Sequence, residues 1–337
     1  MFSKLKIGVI GYGKLGSVHA SNVDSSEKGH LYAVCDASLE ALAKAKDKFP
    51  DIRTFSSVKE MLLESIDAVV IASSTPLHLE HIEMAAKAGK HIFTEKPVGL
   101  SLEDTDRVLK AVTDADVQFQ IGFQRRWDPR FLAAKDMIES GKIGRPVLIK
   151  AYGRDPDASN PANWGLDKNG GLFLNAAIHD YDAARFLLDL EASSISAEGA
   201  ALVHEGLKDV DDIDTCSTAI KFGENKAMVI TEWSRYARYG YDIGFEIIGT
   251  DGMIRMGREQ SSTLSLLQVN DDAPVVFDVF SDAYKGEVDA FINNVCSGKP
   301  VSPGIEDART ALYIAIKARE SYSSGTRLLL PPLEPLA

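Results

Sequence analysis

Between Lys4 and Gly122, short β-branched apolar runs alternate with amphipathic stretches of helical spacing: KIGVIG, LYAVCD, DAVVIA, KHIFTE and VQFQIGF. Continuous apolar runs separated by helices predict strands buried on both faces of a parallel sheet built from βαβ units. Helix signals agree. Ser57 with Glu60 reads as a capping box, Ser101 with Asp104 as a weaker relative, and Gly89 closes the helix that begins near Pro76. After Gly122 the rhythm changes. A helix from Asp128-Pro129 to Gly141 precedes the strand PVLIKAYG, and a helical period runs from about Leu172 to Leu188. Beyond residue 190 come mostly strands, TCSTAIKF, KAMVITEW, YDIGFEIIG and SLLQVN, with hairpin turns at Phe222-Gly223-Glu224-Asn225 and Thr250-Asp251-Gly252. Two late helical periods, about Tyr284 to Cys296 and Ile305 to Tyr322, are expected to cover a sheet face. The pattern predicts a doubly wound α/β domain over 1–122, then an α+β domain with an open, mainly antiparallel sheet over 123–337. The Pro-rich tail LLLPPLEPLA is left free to pack back on the first domain.

Composition narrows the function. The chain has 337 residues, 45% hydrophobic and 26% charged, which is ordinary for a globular enzyme and unlike a disordered chain. Lys and Arg number 37 against 49 Asp and Glu; a net charge of −12 repels a phosphate backbone and argues against nucleic acid as a partner. Cys35, Cys216 and Cys296 are odd in number with no CxxC spacing, which argues against a disulfide framework and a cysteine-rich zinc site and suits a reducing cytoplasm. MFSKLKIGVIG enters a strand pattern at once, and no later run is long and apolar enough for a membrane span, so neither export nor a membrane partner is expected.

Gly11-Tyr12-Gly13-Lys14-Leu15-Gly16 follows the first strand and opens a helix. In that context the glycines permit a tight turn and close approach of backbone to a pyrophosphate, and free helical N–H groups can face the phosphates. Asp36 ends the second strand 20 residues later, where a carboxylate can accept from ribose hydroxyls. No Arg follows it to neutralise a 2′-phosphate, so NAD is preferred over NADP. Thr94-Glu95-Lys96-Pro97 lies just past KHIFTE, at the carboxyl edge where open α/β sheets bind ligands. Pro97 biases Lys96 away from helix and makes a cis peptide possible; an ammonium held there can stabilise a developing alkoxide.

Asn175 and His179 are four apart on one predicted helix face that also carries Asp182 and Phe186. Histidine suits proton abstraction near neutral pH, and a neighbour that orients the ring completes a general base. His78 and His81 lack zinc-protease spacing and read as helix-face residues, with His78 near the cofactor; no metal is expected. In Gln124-Arg125-Arg126-Trp127, Arg125 can donate to substrate hydroxyls. An interdomain salt bridge is the other reading, and it suits Arg126.

Taken together, GYGKLG, ASSTPLH, TEKP, GFQRRWDP and GG-x3-N-x3-H-x2-D resemble the Gfo/Idh/MocA oxidoreductase family over essentially the whole chain, and most closely its inositol dehydrogenase branch. The resemblance implies an α/β Rossmann domain, an α+β domain with an open sheet, and a homo-oligomer, commonly a tetramer. It implies NAD as cofactor, held by Gly11 to Gly16, Asp36, Ser73, Ser74, Thr75, His78, Glu95, Lys96 and Gln124. It also implies a polyol substrate met by Lys96, Arg125, Asp155, Asn175, His179 and one or both of Tyr239 and Tyr241. Lys96 and His179, with Asn175 beside them, form the catalytic group. The family pattern commonly has Asp where this chain has Asn175; an amide orients an imidazole but offers it no full charge.

The expected reaction is oxidation of a ring CH–OH of myo- or scyllo-inositol to an inosose, with His179 removing the hydroxyl proton and Lys96 holding the oxygen. Two alternatives stay open: a dehydrogenase of an aldose, deoxysugar or amino sugar, and a non-catalytic NAD(H)-binding regulator.

Overall fold

The computed structural model describes residues 4–156, 164–257, 266–267 and 275–334. Its elements are β1 (Leu5–Ile10), α1 (Lys14–Asp24), β2 (Gly29–Cys35), α2 (Leu39–Lys48), β3 (Arg53–Phe55), α3 (Val58–Leu62), β4 (Ala68–Ile71), α4 (His78–Lys87), β5 (His91–Glu95), α5 (Leu102–Asp114) and β6 (Phe119–Gly122). There follow α6 (Pro129–Glu139), β7 (Pro146–Arg154), α7 (Leu166–Asn169), α8 (Ile178–Leu188), β8 (Ala192–Ala200), β9 (Thr215–Phe222), β10 (Ala227–Ser234), β11 (Asp242–Gly249) and β12 (Met253–Met256). Last come α9 (Val276–Val279), α10 (Ser281–Ser297), α11 (Ile305–Ser324) and β13 (Leu328–Leu329). Most of the expected strand SLLQVN lies outside the described residues, and 266–267 carry no regular structure.

Two compact units emerge: Met1–Trp127 with Asp282–Arg309, and Asp128–Ser281 with Thr310–Ala337. The first holds a six-stranded, all-parallel sheet in the order β3-β2-β1-β4-β5-β6. Chain direction across the sheet reverses between β1 and β4, so the carboxyl ends of these two strands open a crevice suited to a ligand. β4 is buried at every position, as expected of a central strand covered on both faces. One cover comes from far along the chain. Val288, Phe291 and Ile292 of α10 share a core with Ile7, Val9, Val34, Val70 and Phe93.

Capping follows the sequence with one inversion. Ser101 Oγ accepts from Asp104 N at 3.1 Å and Asp104 Oδ2 accepts from Ser101 N at 3.2 Å, completing the box that the sequence marks as the weaker. At Ser57 only the hydroxyl half forms, accepting from Glu60 N at 3.4 Å.

The second unit holds a seven-stranded sheet in the order β12-β11-β7-β10-β9-β8-β13, antiparallel except for β7 with β10. Both expected hairpin turns join antiparallel neighbours, β9 to β10 and β11 to β12. α11 reaches this unit through Ser321, whose Oγ accepts from Ala197 N at 3.1 Å, and Tyr322, whose ring lies 5.9 Å from that of Phe173. The described part of the Pro-rich tail belongs here: Leu328–Leu329 pairs with β8, and Leu330 N donates to Ser193 O at 2.9 Å. Among the described residues no helix is long and apolar enough to cross a membrane, and Cys35, Cys216 and Cys296 are free thiols.

Candidate active site

The crevice of the first unit is built for close backbone approach. Gly11 has φ +89°, and a Cβ there would lie 2.6 Å from Ser73 N; a Cβ on Gly16 would lie 1.9 Å from Gly11 O. Both positions require glycine. A Cβ on Gly13 would meet nothing within 4 Å, so the loop faces open space there. Gly13 is the N-cap of α1 and gives it no side-chain cap, which leaves the first-turn N–H groups of Lys14, Leu15 and Gly16 available to an anion. A cleft of about 460 Å³ beside this turn is lined by Gly11, Asp36, Ala37, Ser73, Ser74 and Leu77. Asp36 Oδ2 accepts from Tyr12 N at 2.6 Å and Oδ1 from Ser38 N at 2.8 Å, so the carboxylate ties β2 to the glycine loop. Each oxygen keeps a second lone pair, available to a ribose hydroxyl. Helix capping falls to Ser38, which accepts from Ala41 N. This cradle fits a dinucleotide.

Beyond β5 the Lys96–Pro97 peptide is cis, and Lys96 is half-buried. The turn is gripped from α4. His78 places Nδ1 2.8 Å from Pro97 O and Nε2 2.8 Å from Ser73 O. Burial pushes the His78 pKa down against the opposing pull of those two carbonyls, and in the neutral ring a single N–H donates to one of them. His78 is therefore packed between the lysine turn and the Ser73 loop and hydrogen-bonds one of the two. His81 Nδ1 lies 2.9 Å from Ser73 Oγ, and Thr75 opens the short 3₁₀ turn Thr75–Leu77 before α4. Glu95 is turned inward, its Oε1 2.7 Å from Nε2 of the fully buried His19 on α1.

After β6 a 3₁₀ turn carries Gln124, Arg125, Arg126 and Trp127, with Gln124 and Arg125 buried. Arg126 Nη2 donates to Asp307 Oδ1 at 2.9 Å, within the first unit. Asp307 lies far along the chain, yet residues 282–309 belong to the same unit as Arg126.

In the second unit the predicted helix over 172–188 is continuous but begins with a π turn, Phe173–Ala177, that contains Asn175 and runs directly into α8 with His179. Single π turns widen a helix locally and recur at functional sites. His179 is 9% exposed and Asn175 half-buried. Asn175 Oδ1 accepts from Arg235 Nη2 at 3.2 Å. Arg235 Nη1 in turn donates to Asp212 Oδ2 at 3.0 Å, with the side chains 3% and 1% exposed, and its guanidinium lies 5.0 Å from the Trp164 ring centroid. Asp212 Oδ1 accepts from Leu172 N and Ile213 N, both at 2.8 Å, so the pair also fixes the start of the helix. Next to His179, Asp180 accepts from Trp233 Nε1.

Asp155 follows β7; its N donates to Ser234 O and its O accepts from Ala237 N, both at 2.9 Å. Tyr239 is half-buried after β10, whereas Tyr241 is buried with its ring 6.2 Å from Phe280. A separate cavity of about 830 Å³ is lined by Gly170, Phe173, Asp212, Arg319 and Tyr322; none of the expected polyol contacts lines it. Sequence reasoning missed Arg235, Asp212 and His19. His19 could have been found as the residue one turn after Gly16; the others carry no local signal, because burial alone gives them their roles.

Comparison with known proteins shows the family and the fold. Residues 5–123 match the family described as oxidoreductase family, NAD-binding Rossmann fold, and residues 131–255 match the GFO/IDH/MocA C-terminal domain. The chain is 34% identical to a myo-inositol 2-dehydrogenase of Thermotoga maritima, over 94% of this chain and 96% of that one. It is 35% identical to an NAD(+)-dependent scyllo-inositol 2-dehydrogenase of Bacillus subtilis, over 96% of each. A crystal structure of scyllo-inositol dehydrogenase from Lactobacillus casei, with bound NAD(H) and scyllo-inositol, superposes with a TM-score of 0.86 at 30% identity, covering 97% of this chain and 99% of that one. The chain belongs to the Gfo/Idh/MocA family of oxidoreductases with an NAD-binding Rossmann domain.

Proposed function

We propose that the chain is an NAD-dependent inositol dehydrogenase that oxidises a ring CH–OH of myo- or scyllo-inositol to an inosose. The carrying observation is that likeness to inositol 2-dehydrogenases runs through both units while the chain keeps a lysine after β5 and a histidine at the start of α8. When bound, NAD supplies the hydride acceptor. The free N–H groups of the α1 first turn hold its pyrophosphate, Asp36 receives the ribose hydroxyls, and the same carboxylate repels a 2′-phosphate.

The chain's own residues manage the proton. In this reading His179 accepts it from the reacting hydroxyl, and the Lys96 ammonium holds the oxygen as charge develops. Asn175 orients the polyol or the imidazole, with Arg235 and Asp212 fixing it from behind. Asp155, Arg125 and one or both of Tyr239 and Tyr241 serve as further hydroxyl contacts. Asn175 favours one second reading, a different polyol or sugar of the same class, because an amide in place of a carboxylate both donates and accepts. We also take the protein to be a cytoplasmic homo-oligomer, a tetramer, assembled through the outer sheet face on which Met228 and Glu232 are exposed.

Lys96→Ala tests the reading. It should lower kcat at least about 10²-fold, far more than it weakens NAD binding. An unchanged kcat removes the lysine from the mechanism.

A further inference from the structure

Beneath the Lys96 turn lies a sealed polar cluster to which the proposed reaction assigns no role. Glu95 is 6% exposed, and His19 and Glu287 are 0%. One donor atom from each lies within 4.8 Å of the others. Four elements of the first unit enclose the cluster. α1 brings His19, β5 brings Glu95, and β6 brings Gln120, whose Nε2 donates to the Glu287 carbonyl at 2.9 Å. α10 brings Glu287 and, one turn before it, Tyr284, edge-on to His19 with ring centroids 5.9 Å apart. Neither carboxyl oxygen of Glu287 has a hydrogen-bond partner, and among the described residues no Lys or Arg pairs with it.

Two carboxyl groups within 4.8 Å of each other, buried and with no Lys or Arg beside the second, do not both ionise; one keeps a proton. The geometry says which. Glu95 has the His19 ring nitrogen 2.7 Å away as a polar partner, and Glu287 has no such contact. Burial, reinforced by the neighbouring Glu95, accordingly pushes the Glu287 pKa well above the carboxylate range. A divalent metal would need the same ligand types, but ligands about 2.1 Å from a tetrahedral ion stand roughly 3.4 Å apart. The 2.7 Å contact of His19 with Glu95 is a hydrogen-bond distance.

We propose that Glu287 is a neutral carboxylic acid that directs its O–H toward Glu95, directly or through one water, and so acts with His19 as a positioning residue for the Glu95–Lys96 turn. The proposal rests on the reading of Lys96 given above. It ties α1, whose first turn faces the dinucleotide, to the strand end that carries the lysine.

The test compares full-length wild type with Glu287→Gln, which keeps a donor in the same shape, and Glu287→Leu, which fills the site without one. Infrared spectra at about pH 8 should show a protonated carboxylic acid C=O band in wild type that is absent from Glu287→Gln. With NAD and the best polyol, Glu287→Gln should keep kcat within about twofold, while Glu287→Leu loses about tenfold or more in kcat with KM for NAD unchanged. Thermal melts establish that both variants fold. The proposal is overturned by absence of the band, by stoichiometric divalent metal in the purified protein, or by full kcat in Glu287→Leu. Should no polyol be oxidised at all, the reading of Lys96 fails while the infrared band still decides whether Glu287 holds a proton.

Discussion

Replacing Arg235 by Met probes the link between the second unit's core and Asn175. The guanidinium and the Asp212 carboxylate are 3% and 1% exposed, so solvent screens their attraction little. Removing one member of a buried pair costs about 3–5 kcal/mol, because the partner is left charged and desolvated. Loss of the donor to Asn175 Oδ1 adds about 1 kcal/mol. For a unit of this size each kcal/mol moves Tm by about 2–4 °C, so a drop of roughly 8–24 °C is expected. The rescue follows from the same contacts. Asp212→Asn keeps an Oδ1 acceptor for Leu172 N and Ile213 N while discharging the carboxylate. The double variant Asp212→Asn/Arg235→Met should therefore recover most of the lost stability without restoring the contact to Asn175. Tryptophan fluorescence melts read stability, and kcat/KM for the polyol reads Asn175, which should stay impaired in the double variant while KM for NAD is normal. A single variant that melts within a degree or two of wild type, or a double variant no better than the single, would refute the reasoning.

Other outcomes follow from the same geometry. His179→Ala should lose about 10² to 10⁴-fold in kcat, read by steady-state NADH formation; a full-rate variant rules out the base assignment. Gly16→Ala places a Cβ 1.9 Å from a backbone carbonyl, so KM for NAD should rise at least about tenfold; titration calorimetry finding unchanged NAD affinity contradicts the cradle. Glu287 is held neutral in the fold, so its favourable contribution is complete below the ordinary carboxyl pKa and fades as pH rises toward its raised folded value, by up to about 1.4 kcal/mol per pH unit. Denaturant melts should therefore show Glu287→Gln gaining on wild type from about pH 5 to pH 8 and gaining nothing below about pH 4; a gap independent of pH is the contrary result.

The elements legible in the sequence were those whose local pattern and tertiary environment agree. The five apolar runs of the first unit became β1, β2, β4, β5 and β6 because parallel strands covered on both faces, the buried edge strand β6 included, must be apolar on both. β8, ASSISAEGA, was missed because its small polar residues give no alternation; pairing along its length with β9 makes it a strand. β3, at three residues, is too short for periodicity to register, and β12, MIRM, lacks the continuous buried apolar run of the equally short β4. The cofactor loop was readable because its chemistry needs glycine at fixed spacing. Arg235 and Glu287 were not, since a charged residue announces exposure in sequence and only the fold reveals that each is buried. The π turn at Asn175 was likewise hidden, because an extra residue in one turn leaves the apolar pattern of a helix almost unchanged.

The central claim is tested most directly by NADH formation with myo-inositol, scyllo-inositol, chiro-inositol and glucose, each offered with NAD and with NADP. The account predicts turnover of myo- or scyllo-inositol with NAD, at a kcat/KM at least about tenfold above that with NADP or with glucose. Turnover of glucose alone contradicts the inositol reading and makes the protein a sugar dehydrogenase, and silence with every polyol contradicts catalysis itself and leaves an NAD(H)-binding regulator.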